Sequence, residues 1–268
     1  MSITHKGSFG RDLILGGSIG YTGAPLLSSR AAVRSGAGLT YLGVPEKIYS
    51  IAAAKCLEEM PFPLPCDEAG HIALAAKEQI FQKLAACNVC LIGPGLGRTK
   101  DLTKLIAEIL SHSKIPLVID ADGINAVSEN INVLDEASCP VILTPHEGEF
   151  ARLGGDLASQ SRLEAARHFA VSHHCTLVLK GHRTVSAFPD GQVYINTTGN
   201  PGMAKGGSGD VLSGIIASLV GQKLAIKEAV CAGVYIHSKA GDLCRDKFGE
   251  YFMTPSDLIG MLAAVMKK

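Results

Sequence analysis

Short, continuous apolar runs that end in Gly, Pro or Asp recur along the chain and constrain its fold more than any other feature. Uninterrupted runs of this kind are typical of strands that are covered on both faces. Helical patterns such as 102–110 and 163–170 lie between them. Because strand and helix alternate, the sequence predicts an α/β fold with a mostly parallel central sheet flanked by helices. The runs occupy residues 13–15, 39–44, 89–92, 117–119, 141–143 and 176–179.

One segment departs from this alternation. Residues 184–188 and 192–196 have the character of two strands, and Pro189-Asp190-Gly191 between them favours a tight turn. We therefore expect an antiparallel hairpin near one edge of the sheet. Three helices are expected after it, at about 209–221, 225–244 and 256–266. The chain shows no linker or repeat, so residues 1–268 are expected to form a single domain.

The charge balance argues against a nucleic-acid partner. Lys and Arg together number 25, as do Asp and Glu, and the sequence lacks the basic clusters that bind a phosphate backbone. No apolar run approaches the roughly 20 residues of a membrane span, and the N-terminal segment lacks the pattern of a signal peptide. We expect a cytoplasmic protein with neither a nucleic-acid nor a membrane partner.

Eight cysteines are scattered along the chain, and one pair, Cys87 and Cys90, has CxxC spacing. This spacing occurs in redox pairs and in zinc sites, but the sequence offers no second CxxC or HxxxH motif to complete a metal site. The pair also leads directly into an apolar run. We therefore expect buried strand cysteines, and no protein metal site.

Glycine is enriched, with 30 residues in 268, or about 11%, against roughly 7% in an average protein. Such an excess indicates either flexible linkers or backbone positions that cannot carry a side chain. The glycines concentrate in 16–20, 93–97 and 199–209, each at the end of a predicted strand. Ligands bind at the carboxyl ends of strands in open α/β sheets, so this distribution predicts a binding site.

The strongest local signal is the glycine-rich loop 202–210, which opens directly into an apolar helix. A helix N-terminus presents free N–H groups and a positive dipole, and it therefore favours an anion such as phosphate. The loop does not match the standard phosphate-binding motifs. Asp210 in the first turn is either a catalytic carboxylate or an ordinary helix cap. Because the helix dipole lowers a carboxylate pKa, we expect Asp210 to be ionised at neutral pH.

Two further strand ends carry candidate polar residues. Asp120 and Asp122 could hold a metal or a substrate hydroxyl, or they could cap the helix that begins at Gly123. Asp120 directly follows an apolar run and is the candidate site residue, whereas Asp122 is expected to be the cap. His146 follows Pro145 at a predicted helix start on the same edge of the sheet. A lone histidine is either structural or a ligand, and the local sequence does not separate the two.

Taken together, these motifs resemble the NAD(P)H-hydrate dehydratases, over nearly the whole chain. Six motifs occur in the order found in that family: 16–39, 93–97, 120–125, 143–150, 179–181 and 200–210. The resemblance implies the ribokinase-like fold, which agrees with the predicted sheet. Many bacterial members carry an additional N-terminal epimerase domain. We do not expect one here, because the dehydratase motifs begin at residue 16.

The resemblance implies an enzyme of metabolite repair. NADH and NADPH hydrate at C5–C6 of the nicotinamide ring to give NADHX and NADPHX, which dehydrogenases cannot use. Family members phosphorylate the 6-hydroxyl with a nucleotide, and phosphate then leaves, so the overall reaction is that of a hydro-lyase. The loop is more similar to bacterial members, which convert ADP to AMP and phosphate, than to eukaryotic members, which use ATP.

The resemblance also assigns site residues. Asp210 is implied as the catalytic base, and the hydrated nicotinamide is implied to contact Ala37, Gly97, His146 and Asp210. The implied nucleotide ligands are Lys180, Gly181, His182, Arg183, Thr184, Asn200, Lys205, Gly206, Gly207, Ser208 and Gly209. For Lys205, a solvated loop lysine is an equal alternative. Mg²⁺ held by phosphate oxygens and water is expected, as is a homotetramer.

Two other functions compete with the dehydratase. A ribokinase-like kinase for a vitamin-precursor alcohol would carry a similar glycine–aspartate loop, although 16–39 and 143–150 match the dehydratases better. A non-catalytic nucleotide sensor would bind without turnover. The intact loop with Asp210 argues against the sensor.

Overall fold

A nine-stranded sheet forms the centre of the chain, in a computed structural model that describes residues 9–267. Residues 1–8, part of the N-terminal segment considered above, and residue 268 lie outside the described residues. The strands are β1 (Arg11–Leu15), β2 (Leu39–Pro45), β3 (Met60–Leu64), β4 (Val89–Ile92), β5 (Leu117–Ile119), β6 (Val141–Leu143), β7 (Thr176–Leu179), β8 (Val185–Ala187) and β9 (Val193–Ile195). Their order across the sheet is β3-β2-β1-β4-β5-β6-β7-β8-β9.

Most of the sheet is parallel. Every neighbouring pair from β3 across to β7 runs in the same direction, with Leu13 of β1 opposite both Tyr41 and Cys90. Strands β7, β8 and β9 pair antiparallel at one edge, and the N–H of Gly191 donates to the carbonyl of Phe188 (2.9 Å) in the turn between β8 and β9. Both the parallel sheet and the edge hairpin are confirmed.

Helices cover both faces of the sheet. They are α1 (Gly23–Arg34), α2 (Glu46–Lys55), α3 (Lys77–Leu84), α4 (Lys100–His112), α5 (Asp122–Ser128), α6 (Glu147–Arg152), α7 (Arg162–Ser172), α8 (Ser208–Gly221), α9 (Ile226–Phe248) and α10 (Pro255–Val265). Helices α3 to α7 pack on one face and the others on the opposite face. No helix within residues 9–267 is long and apolar enough to cross a membrane.

The two apolar layers explain the continuous apolar runs in the sequence. Leu13 and Leu15 of β1 point into one layer, and Ile14 between them points into the other. All three side chains are fully buried. A strand between two helical layers has no solvent-facing side, so successive residues are apolar instead of alternating.

Two elements differ from the predicted ones. Strand β3 was not predicted, because Pro61 and Pro63 lie within it. It is an edge strand that pairs with β2 alone, and edge strands tolerate prolines because one side of their backbone needs no ladder partner. Helix α9 continues to Phe248, beyond the predicted end at 244, and stops at Gly249, whose φ is +76°.

Helix α8 is the most deeply buried helix of the site region. Twelve of its 14 residues are buried, and it packs between the sheet, α1 and α9. A helix that is apolar on all sides is stable only in such surroundings. Its N-terminal turn, which carries Gly209 and Asp210, is the half-buried part.

Cys87 and Cys90 are buried, as predicted, and Cys90 lies within β4. Burial raises the pKa of the Cys87 thiol to about 11 and that of Cys90 well above its ordinary value. A raised pKa opposes formation of the thiolate, which both redox chemistry and metal binding require. These cysteines serve as small apolar side chains of the core.

Asp12 is an ionisable residue inside this core. Its side chain on β1 is 0% exposed, and neither carboxylate oxygen has a hydrogen-bond partner among the described residues. The side chain packs against Gly221 at the end of α8, where an added Cβ would lie 2.1 Å from Oδ1. Burial raises the pKa of Asp12 well above its ordinary value. The folded protein therefore keeps this proton to a higher pH than the unfolded chain.

Replacing this carboxyl should change how stability depends on pH. We predict that wild type loses stability relative to Asp12→Asn, by up to about 1.4 kcal/mol per pH unit, as pH rises from the unfolded pKa near 4 toward the folded pKa. The unfolded carboxyl loses its proton first, so rising pH favours unfolding. Urea denaturation of both proteins between pH 5 and pH 8 measures this difference. A difference that stays constant would show that Asp12 titrates alike in both states.

Candidate active site

A cavity of about 910 Å³ opens at the edge of the sheet where the parallel strands end. Strands β5, β6 and β7 are neighbours, and Asp120, His146 and Lys180 follow them into the cavity wall. The N-terminus of α8 and the loop before it form another part of the wall. This edge is the one at which open α/β sheets bind ligands.

Most of the predicted site residues share this cavity. Those that line it are His146, Lys180, Gly181, His182, Arg183, Thr184, Asn200, Lys205, Gly206, Gly207, Ser208, Gly209 and Asp210. They come from three separate parts of the chain, which the fold brings together. Their roles as nucleotide or substrate ligands remain predictions.

The first turn of α8 has the geometry of an anion site. Gly207 is the residue before the helix, with a left-handed φ of +97°, and the N–H of Val211 makes the first helical bond to its carbonyl (3.1 Å). No side chain caps this helix. The first N–H groups of a helix have no partner within it, so the amides at Gly209 and Asp210 are available to a phosphate.

Asp210 is the third residue of α8 and lines the cavity. It is not the helix cap, because Gly207 holds that position, and its carboxylate accepts no hydrogen bond from the residues between 9 and 267. Burial raises the pKa of Asp210 to about 7, and the charge of Asp120 adds to the rise, while Lys180 opposes it. We expected the helix dipole to keep Asp210 ionised at neutral pH, but with a pKa of about 7 the carboxyl is partly protonated there.

Lys180, which follows β7, forms ion pairs with Asp120 after β5 and with Glu149 in α6. Its Nζ lies 2.8 Å from Asp120 Oδ1 and 3.7 Å from Glu149 Oε2. Burial alone would lower the pKa of Lys180, but the charges of Asp120 and Glu149 outweigh it and raise the pKa above its usual value. The Lys180 side chain is therefore protonated, and it lies beside the N-terminus of α8.

His146 is both a cavity residue and the cap of α6. The ring Nδ1 of His146 accepts from the backbone N–H of Glu149 (3.2 Å). The backbone N–H of His146 donates to Glu149 Oε2 (2.8 Å), and the two bonds together form a capping box. Nε2 is then the donor nitrogen of the neutral ring. The cap holds the imidazole at the cavity, so its structural role and a ligand role are compatible.

Helix α9 supplies contacts that the sequence analysis did not identify. His237 Nε2 donates to the carbonyl of Ser208 (2.9 Å), Ser238 Oγ accepts from Asn196 (3.0 Å), and Asp242 accepts from the N–H of Gly199 (3.1 Å). Burial lowers the pKa of His237 to about 4, so the ring is neutral. The available signal was the presence of polar residues on the buried face of an amphipathic helix. They hold the chain before the glycine-rich loop and the end of the loop itself.

Lys205 lines the cavity and also makes hydrogen bonds within the protein. Its Nζ donates to the carbonyls of Tyr251 (2.6 Å) and Met253 (2.7 Å), in the segment between α9 and α10. The side chain therefore ties the glycine-rich loop to the neighbouring connection. Lys205 is therefore not a freely solvated lysine, and its role as a nucleotide ligand stays a prediction.

Ala37 lies outside the cavity. It precedes β2, so it sits at the amino ends of the strands, opposite the edge where Asp210 and His146 lie. Its N–H donates to the carbonyl of Ala32 (3.2 Å), and its side chain packs on the apolar layer that contains α8. The structure therefore separates Ala37 from the residues that line the cavity, and its role as a substrate contact stays a prediction.

Gly97 lies at the correct edge, after β4, but it does not line the cavity. Its φ is +77°, and an added Cβ would lie 2.5 Å from the ring of His71, so glycine is required here. Its N–H donates to Asp122 Oδ2 (2.8 Å). The predicted capping role of Asp122 was wrong, because Ala121 is the cap residue of α5 and Asp122 instead binds the β4 loop.

Comparison with known proteins now adds to the geometry. The model of the NAD(P)H-hydrate dehydratase family matches residues 13–263. The chain belongs to this family. Among curated relatives, the bifunctional NAD(P)H-hydrate repair enzyme Nnr of Moorella thermoacetica is 45% identical over 266 residues, which are 98% of this chain and 50% of that protein. The ADP-dependent (S)-NAD(P)H-hydrate dehydratase of Neisseria meningitidis is 37% identical, over 92% of this chain and 81% of that protein.

Solved structures agree. A ribokinase-like superfamily protein of Enterococcus faecalis matches with a TM-score of 0.85 and 33% identity, over 99% of this chain and 89% of that one. The ADP/ATP-dependent NAD(P)H-hydrate dehydratase of Bacillus subtilis, co-crystallised with ATP and Mg²⁺, matches with a TM-score of 0.82 and 30% identity, over 99% and 91%. The ribokinase-like fold is therefore confirmed. The chain spans about half the length of the Moorella relative.

The glycine-rich loop offers a matched pair of glycine substitutions. Gly207→Ala should destabilise the protein by about 1–3 kcal/mol, because the left-handed φ disfavours alanine and the new Cβ would lie 2.5 Å from Leu27. Gly206→Ala should have little effect on the free protein, since nothing lies within 4 Å of its added Cβ. Thermal unfolding of the two variants without ligand checks this. Equal melting temperatures would contradict the geometry given for Gly207.

Proposed function

We propose that this chain uses a nucleotide to dehydrate NADHX and NADPHX to NADH and NADPH. The observation that carries the proposal is the Asp210 carboxylate, which lies without a hydrogen-bond partner from residues 9–267 in the first turn of α8, in the same cavity as His146 and Lys180. This arrangement supports a role for Asp210 as a base beside a phosphate group bound at the helix N-terminus. Membership of the family supplies the substrate class.

The glycine-rich loop and residues 180–184 hold the nucleotide in this proposal. The amides of the first turn of α8 bind the phosphate groups and stabilise the charge that builds up during transfer. Asp210 accepts the proton of the 6-hydroxyl while the hydroxyl oxygen attacks the terminal phosphoryl group of ADP. An O–P bond forms to the substrate, the bond to AMP breaks, and AMP leaves.

The second step is an elimination. The N1 lone pair of the ring moves toward C6 as the C6–O bond breaks and phosphate leaves. Loss of a proton from C5 then completes the C5–C6 double bond. The ring thereby loses the oxygen on C6, which leaves with the phosphate, and a proton from C5. The reaction consumes ADP and releases AMP, phosphate and the dihydronicotinamide. The protein contributes mainly by holding the hydroxyl and the phosphoryl group together.

ADP is the proposed phosphoryl donor, with Mg²⁺ as its companion ion. No group of three or more His, Cys, Asp or Glu side chains within residues 9–267 could form a metal site, and the carboxylate of Asp120 already binds Lys180. The shortage of protein ligands fits a Mg²⁺ ion that is held by phosphate oxygens and water. Such an ion would neutralise phosphate charge in the cavity.

The raised pKa of Asp210 predicts a pH dependence. A base must be ionised to accept a proton, so kcat/KM should fall about tenfold per pH unit below a pKa of about 7 and level off above it. The measurement is the recovery of reduced-nicotinamide absorbance from hydrated NADH at several pH values. An activity that is unchanged between pH 7 and pH 5 would exclude Asp210 as the base.

A substitution tests the same assignment. Asp210→Asn should reduce recovery of NADH at least a thousandfold, because the amide cannot accept the proton, while ADP still raises the melting temperature. Parallel assays with ADP and with ATP identify the donor. If wild type binds nucleotide but restores no NADH with either one, the chain is a sensor or a kinase for another alcohol.

A further inference from the structure

Three carboxylates surround the ammonium of Lys180, but it pairs with only two of them. Its Nζ lies 2.8 Å from Asp120 Oδ1 and 3.7 Å from Glu149 Oε2. The third carboxylate, Asp210, is close enough to raise the pKa of Lys180. Even so, no ion pair of 4.0 Å or less joins Lys180 to Asp210, both of which the structure describes. The cation is therefore paired with Asp120 and Glu149 and not with the proposed base.

The partner that directs it is rigidly placed. Asp120 is 1% exposed, its N–H donates to the carbonyl of Ile92 (3.1 Å), and its carbonyl accepts from the N–H of Gly123 (2.9 Å). Its Oδ1 also accepts from the N–H of Ala121 (2.9 Å). These bonds hold the Asp120 carboxylate between the ends of β4 and β5. Lys180 is consequently held at a fixed point of the cavity wall.

Helix α8 lies directly beside this point. The Nζ of Lys180 is 3.3 Å from the position that a Cβ on Gly209 would take, and Asp210 is the next residue. An ammonium released from Asp120 therefore has Asp210 within reach through rotation of its side chain. Such a pair would engage the carboxylate oxygens that must accept the hydroxyl proton, and it would lower the pKa of Asp210.

We propose that Asp120 is a positioning residue that holds Lys180 away from Asp210, so that the Asp210 carboxylate stays free for the substrate hydroxyl. This inference rests on the proposed function. Asp120 touches neither the reacting hydroxyl nor the phosphoryl group in this account. It acts on the base through the lysine.

The charges that face Asp210 support this role. Asp120 after β5, Asp122 of α5 and Glu149 of α6 raise the pKa of Asp210, after the larger effect of burial, and Lys180 after β7 lowers it. From α9, His237 is neutral because burial lowers its pKa to about 4. Lys180 is thus the cation that acts on Asp210, and Asp120 is its closest partner.

The test is the pH profile of NADH recovery in Asp120→Asn. The amide oxygen preserves the shape of the side chain but removes the charge that retains Lys180. We expect the acid limb of kcat/KM, near pH 7 in wild type, to move down by at least one pH unit, and kcat at pH 8 to fall at least tenfold. The KM for ADP should change less than threefold. A purely structural role would lower activity without moving the limb. Loss of the Asp120 charge acts on Asp210 directly as well, and that effect does not need Lys180. A limb that Asp120→Asn moves equally far in a Lys180→Gln background therefore overturns the positioning role.

Glu147→Gln is the matched control. Like Asp120→Asn it removes a carboxylate, in this case one at the start of α6. The Glu147 side chain is 57% exposed and pairs with Arg162 (3.0 Å), so the acid limb should stay in place. Lys180→Gln is the second variant, and it should move the limb in the opposite direction, to higher pH, because it removes the cation that lowers the pKa of Asp210.

These outcomes separate the inference from the proposed function. An active Asp120→Asn enzyme with an unmoved limb overturns the positioning role. If Asp120→Asn does not fold, as judged by thermal unfolding, a limb in Lys180→Gln that is unchanged or lower overturns it instead. A wild-type protein that restores no NADH refutes the proposed function, on which the inference depends.

Discussion

The burial of α8 is the interaction on which the rest of the site depends. Twelve of its 14 residues pack between the sheet, α1 and α9, so the helix cannot shift without disrupting the core. Its half-buried first turn is thereby held at the edge where β5, β6 and β7 end. The amides of this turn and Asp210 line the cavity. A neutral chain can hold phosphates in this way, because oriented backbone groups supply the positive potential.

Much of the fold was predictable because burial on both faces of the sheet leaves a direct mark on the sequence. The continuous apolar runs identified the parallel strands, and Pro189-Asp190-Gly191 identified the hairpin. Strand β3 was not predictable in this way. Its two prolines argue against a strand, and its place at the edge of the sheet, where they are tolerated, depends on tertiary pairing.

The site was predictable in position and less so in its electrostatics. Ordered motifs identified the loop and Asp210, since a glycine-rich helix start is a local feature. The pKa of Asp210 depends on burial and on Asp120, which are set by residues distant in sequence. The same reason applies to Ala37, whose place at the opposite edge follows from strand direction, and to His237 on α9, which supports the loop from a distant segment.

The central claim is that nucleotide and hydrated cofactor react with each other in this cavity. The most direct test is to supply ADP and hydrated NADH in a single turnover and to measure inorganic phosphate and NADH together. The account predicts one phosphate released for each NADH formed, and neither product when either reactant is omitted. Phosphate released without NADH, or a stable phosphate ester in place of both products, would contradict it.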